Sequence, residues 1–124
     1  MSKSSLNTNK VHKEKGLRLS ELTHKIKNEL SEAFPDHYWV IAEISEIRTN
    51  YSGHAYLEFI EKDPVSEKIS ARIRGTIWSY TFRMLKPYFE NTTGYALEAG
   101  IKVMVKASVE YHELYGLSLN IKDI

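Results

Sequence analysis

Three stretches of two-residue periodicity, one stretch of helical periodicity and two more of two-residue periodicity succeed one another between residues 39 and 121. That order leaves few folds open. In the first stretch Val40, Ala42 and Ile44 alternate with Ile41, Glu43 and Ser45, and Ile47 then breaks the parity. An apolar residue out of step implies a bulge in a bent strand. Asn50–Tyr51–Ser52–Gly53 reads as a turn. In the second stretch Ala55, Leu57 and Phe59 mark one face, and His54, Tyr56 and Glu58 the other. A polar loop, Lys62–Glu67, leads to the third, where Ile69, Ala71 and Ile73 are expected inward against Ser70, Arg72 and Arg74. Gly75 permits a bend there.

The period then changes. Phe82, Leu85 and Phe89 have helical spacing and predict a helix over about Ser79 to Phe89, with Pro87 arguing against a regular last turn. After a loop from Asn91 to Gly100, Ile101, Val103, Val105, Ala107 and Val109 alternate with Lys102, Met104, Lys106 and Ser108. Tyr111–Gly116 is a hairpin connection, and Leu117, Leu119 and Ile121 close a final strand. Ahead of all this, Leu19, Leu22, Ile26, Leu30, Ala33 and Phe34 fall at steps of three and four. Ser20 is the expected cap of that helix and Pro35 its stop, and its apolar stripe is expected to cover a sheet. Trp39 is read as core or helix packing, and Trp78, after the glycine bend, as packing at the barrel bottom.

Helix, three strands, helix, two strands is the order of a mainly β, five-stranded OB-fold, a Greek-key barrel with an N-terminal helix and a second helix between strands three and four. A twisted open sheet with two covering helices is the alternative, disfavoured by that interposed helix. The 124 residues and 42% apolar content suffice for one domain with one core. Residues 17–124 are assigned to it. Residues 1–16, rich in Ser, Asn and Lys, offer little to bury and read as a disordered basic arm.

Composition excludes more than it proves. With no cysteine there are no disulfides, thiol nucleophiles or thiolate metal sites. No apolar run approaches the ~20 residues that span a bilayer, and the N-terminus lacks a secretory h-region, so no membrane partner and a soluble cytoplasmic protein are expected. The five histidines are scattered, none forming a close-spaced metal pair with carboxylates, and no metal or other cofactor is expected. Ser52 and His54 have no orienting acid, so no catalytic residue is assigned. The net charge of +1 favours no polyanion by itself. Between residues 48 and 86, however, Arg48, Lys62, Lys68, Arg72, Arg74, Arg83 and Lys86 outnumber Glu58, Glu61, Asp63 and Glu67. A polyanion site would be a local patch.

Tyr56, Arg72 and Arg74 share the outward parity of neighbouring strands, which suits stacking on an unpaired base beside a phosphate contact. His54 opens the same face and could stack or donate to phosphate, or simply belong to the turn. Arg48 and Tyr51 flank the first loop and could clamp a strand. Lys102 and Lys106 read as a solvated face.

Leu19–Ser20–Glu21–Leu22, Trp39–Val40 with Glu43–Ile44–Ser45, Ser52–Gly53–His54–Ala55–Tyr56, Gly100–Ile101–Lys102–Val103 and Tyr111 with Tyr115–Gly116–Leu117–Ser118–Leu119 form a set. Together they resemble the amino-terminal domain of the exodeoxyribonuclease VII large subunit over about residues 17–124. The resemblance implies an OB-fold that binds single-stranded DNA for a single-strand-specific nuclease. It also implies a catalytic region beyond this chain, which would then be a truncated domain, and association with a small helical subunit through regions outside it. The sequence departs from that family at Ala42–Glu43–Ile44–Ser45–Glu46 and has a less basic end to strand two, Phe59–Asp63. An RNA-binding OB-fold and a protein docking module are the other readings.

Overall fold

The structure, a computed structural model, describes residues 16–124, and the expected basic arm lies outside them except for Gly16. Helix α1 spans Leu19–Ala33, and strands β1 (His37–Thr49), β2 (Ala55–Lys62) and β3 (Ile69–Ile77) follow. Helix α2 (Ser79–Thr93) precedes strands β4 (Lys102–His112) and β5 (Gly116–Asp123). The strands close in the order β1-β2-β3-β5-β4, with β4 returning to β1. All ladders are antiparallel except β3–β5, which is parallel and reaches only from Gly75↔Leu119 to Thr76↔Asn120. This is the expected OB barrel.

The break in parity at Ile47 has the cause its spacing implied. The β1–β2 register slips between Ile44 and Glu46, so Ser45 is the bulged residue, and its hydroxyl donates to the Glu58 carboxylate at 2.7 Å. Beyond the bulge Ile47 turns inward, leaving Glu46 and Arg48 outside. The strand thus pairs β4 through residues 37–43 and β2 through residues 43–49. The predicted turn forms as Gly53, at φ +90°, donates its N–H to Asn50.

Phe59, Ile44, Ile77, Ile121 and Val105 fill the barrel. Gly75 lies against that core, and a Cβ there would stand 2.4 Å from Phe59 Cε2. Its role is therefore space for a ring as much as a bend. Leu85 of α2 and Leu97 of the following loop join the same cluster, with Phe82 and Phe89 packed on it. Helix α2 seals the barrel.

Several expectations need correction. Ile69 and Ala71 are exposed, because the start of β3 pairs with β2 alone and projects past the rim before β5 begins. Trp39 is 52% exposed, since Val40 and Ala42 take the inward parity and leave Trp39 and Ile41 outside. Trp78 is also half exposed. No residue of α1 is buried; the helix lies beside β4 instead of covering the sheet. Its cap is Arg18, one residue before the helix: the Arg18 N–H donates to Glu21 Oε1 at 2.8 Å, and the Glu21 N–H donates to the Arg18 carbonyl.

Helix α2 runs through Pro87 to Thr93, four residues past its expected end, with Gly94 as its cap. Pro87 and Arg83 both lie on the exposed side, where water can meet the carbonyl left without a donor. The extra turn is fastened by Glu90, whose Oε2 accepts from Lys86 Nζ at 2.7 Å and from the Leu97 N–H at 2.9 Å. Those two donors, Lys86 first, hold the Glu90 carboxyl below its usual range. A depressed carboxyl stabilises the fold above the ordinary carboxylate range and loses that contribution as pH falls through its folded value. Glu90→Gln should therefore lower the melting temperature at neutral pH, and the gap should close in acid below the unperturbed value of ~4.3. Thermal melts across that range test this; a pH-independent gap would refute the role.

Candidate nucleic-acid interface

A groove of about 1030 Å³ separates α1 from the outer barrel wall. It lies at the upper end of the ~300–1,000 Å³ usual for small-molecule clefts. Lys27 and Leu30 of α1 and Phe34 just past its end form one bank; Arg48, Tyr56, Arg74 and Trp78 form the other, with Tyr111, His112 and Tyr115 from the β4–β5 hairpin.

Arg48 and Tyr56 are direct cross-strand partners, a pairing set by the bulge at Ser45. The Arg48 guanidinium carbon lies 5.3 Å from the centre of the Tyr56 ring, within cation–π range. The ring is half-buried, and its hydroxyl accepts from Asn50 Nδ2 at 3.3 Å. Packing and hydrogen bonding thus hold a flat ring and a flat cation together at the wall.

Arg74 faces Glu58 across the β2–β3 ladder and donates through its guanidinium to the Tyr115 carbonyl. Within the hairpin, His112 and Tyr115 stack with centroids 4.6 Å apart and planes 28° from parallel. The Leu114 N–H donates to His112 Nδ1 at 3.0 Å, fixing the ring. Across the groove, Glu113 meets Lys27 Nζ at 3.5 Å and His24 Nδ1 at 3.8 Å. Its own backbone N–H, followed by the charge of Lys27, holds the Glu113 carboxyl below the ordinary range. The hairpin turn is therefore tied to β3 on one side and α1 on the other.

Of the residues anticipated from sequence, Arg48, Tyr56 and Arg74 meet in this groove. The others lie apart. Tyr51 is fully exposed at the β1–β2 turn. His54 Nδ1 accepts the Ser79 N–H at 2.9 Å, satisfying a free donor at the start of α2, and its ring stands edge-on to Trp78 at 4.8 Å. Arg72 pairs through Nε with Glu58 Oε2 at 3.3 Å and borders a smaller recess beside Ile60 and Ile73. Sequence reasoning did not assign Tyr111, His112, Tyr115, Trp78 or Phe34 to a binding face. The one signal for the hairpin group was three aromatic rings within five residues ahead of Gly116. Among the described residues, no three of His, Asp and Glu are grouped to hold a metal ion, and no helix is long and apolar enough to cross a membrane.

A closed OB barrel carrying a groove lined by aromatic rings, with Lys27, Arg48 and Arg74 set among Glu46, Glu58 and Glu110, belongs to a class of nucleic-acid-binding domain. The chain belongs to the family described as the OB-fold nucleic acid binding domain, whose model matches residues 17–124. It is similar to the exodeoxyribonuclease 7 large subunit of Deinococcus radiodurans, with 32% identity over 117 residues. That alignment takes in 90% of this chain and 27% of the relative, so the chain spans about a quarter of that protein. Among solved structures it is similar to the dimeric N-terminal domain of PriB from Thermoanaerobacter tencongensis, at 19% identity and a TM-score of 0.43 over 72% of this chain and 92% of that one.

Proposed function

We propose that this domain binds single-stranded DNA along the groove and, within a longer nuclease subunit, presents it to an active site outside the described residues. The observation that carries this reading is the Arg48–Tyr56 stack lining the same groove as Arg74 and the His112–Tyr115 pair. Rings and guanidinium planes take the faces of unpaired bases, which a duplex keeps stacked on one another, while the cations neutralise the backbone. The similarity to a nuclease large subunit supports the wider setting and the expectation of a small-subunit partner bound elsewhere.

Fluorescence anisotropy with oligo-dT across a salt series tests the reading. Affinity should fall as salt rises, with a log–log slope of roughly −1.4 if Arg48 and Arg74 each meet one phosphate, at ~0.7 per contact on a single strand. A duplex of equal length should bind more weakly. Salt-insensitive binding, or a preference for duplex, would overturn the proposal. A matched RNA strand that bound much more tightly would transfer the function to RNA, because only RNA offers the 2′-hydroxyl.

A further inference from the structure

We propose that Glu110 forms a base-reading subsite in this groove, selecting a base with an exocyclic amino group, and so cytosine over thymine. The inference rests on the groove being the single-strand site. Glu110 lies on the outward parity of β4, exposed on the groove wall opposite Ser118. Two donors hold its Oε2: Asn120 Nδ2 at 2.9 Å and Ser108 Oγ at 3.1 Å. Among the described residues Oε1 has no hydrogen-bond or ion-pair partner. The carboxylate is therefore fixed in direction with one oxygen left to accept.

Asn120 also lines the groove yet is only 6% exposed, and its Oδ1 has no partner among the described residues. A buried amide with half its hydrogen-bonding capacity unused is rare. Here it follows from the amide's NH2 being committed to Glu110. A fixed carboxylate on a groove wall repels phosphate, so a nucleotide bound there must turn another group toward it. The N4 amino group of cytosine donates to a carboxylate. Thymine presents the O4 acceptor at the equivalent place, leaving two acceptors opposed.

The test compares oligo-dC and oligo-dT of equal length by anisotropy, at mildly alkaline pH where cytosine is neutral. Both are pyrimidines, so ring size is held constant, and the Glu110→Gln arm separates the hydrogen bond from the thymine methyl group. Oligo-dC should bind about tenfold more tightly, equivalent to ~1.4 kcal/mol and inside the range for a specific base contact. In Glu110→Gln, Asn120 and Ser108 still require an acceptor and will take the amide oxygen, which turns the amide NH2 toward the groove. That variant should bind oligo-dT more tightly, its amide NH2 now meeting the O4 acceptor, while oligo-dC loses its acceptor, so the cytosine preference is abolished or reversed. Equal affinities in the unaltered protein would overturn the subsite while leaving the groove intact. An unchanged preference in Glu110→Gln would also overturn it. Failure of both oligonucleotides to bind would overturn the groove reading with it.

Discussion

Gly75→Ala is expected to lower the melting temperature by roughly 10 °C. The new Cβ would lie 2.4 Å from Phe59 Cε2 and 3.0 Å from Cδ2, well inside van der Waals contact. Phe59 is 2% exposed at the centre of the barrel, so displacing its ring disturbs the packing of the core around it. Overpacking a well-filled core costs ~1–3 kcal/mol, and a domain of this size loses roughly 4 °C per kcal/mol. The strain belongs to the pair. Phe59→Leu alone should destabilise by leaving a void, yet added to Gly75→Ala it should cost less than the two single changes summed. Additive losses in a double-mutant cycle of thermal or denaturant melts would show that the ring is not what excludes the methyl group.

The second large effect is on binding. Tyr56→Ala should weaken oligo-dT binding by about 1–3 kcal/mol, the usual cost of one lost stacking platform. The fold should persist, because Tyr56 is outward on β2 and only half-buried, while Ala55, Leu57 and Phe59 supply the core contacts. Arg48→Ala should weaken binding and flatten the salt slope by about one phosphate contact. As direct partners in one stack, the two positions should be coupled, so the double variant should lose less than the sum. Arg72→Ala should have a small effect on affinity, since its guanidinium is engaged by Glu58 at a separate recess. A Tyr56→Ala protein that melts normally and binds oligo-dT as tightly as the parent would remove this wall from the site.

The element order and inward parities of β1, β2 and β4 were legible because side-chain alternation is local and each of these strands is covered on one face. Even the bulge left a trace, in Ile47 falling out of step. What escaped depended on partners distant in sequence. Ile69 and Ala71 have the pattern of inward residues, and nothing local reveals that β5 is too short to cover them. The stripe on α1 likewise states that a helix forms but not how closely it packs. Arg72 and Arg74 share one parity, yet the first is engaged by Glu58 and the second by the Tyr115 carbonyl, an acceptor forty-one residues away. Tyr115 and His112 could be noticed as rings but not placed, because folding the hairpin against Arg74 and α1 is a tertiary event. His54 reads from sequence as a stacking or phosphate-contacting residue, or as part of the turn; its commitment to the Ser79 N–H depends on where α2 begins.

Ser45 has a consequence for how this strand tolerates a change in length. Losing one residue from a strand ordinarily exchanges its two faces, since the side-chain period is two. At Ser45 it would not. With that residue gone, Ile44 would remain inward, Glu46 outward, Ile47 inward and Arg48 outward, on an unbroken alternation. Only the kink would disappear, and with it the passage of β1 from β4 to β2 around residue 43. Curvature and facing are therefore separately encoded in β1, and a shortening that spares the pattern of exposed residues could still open the barrel.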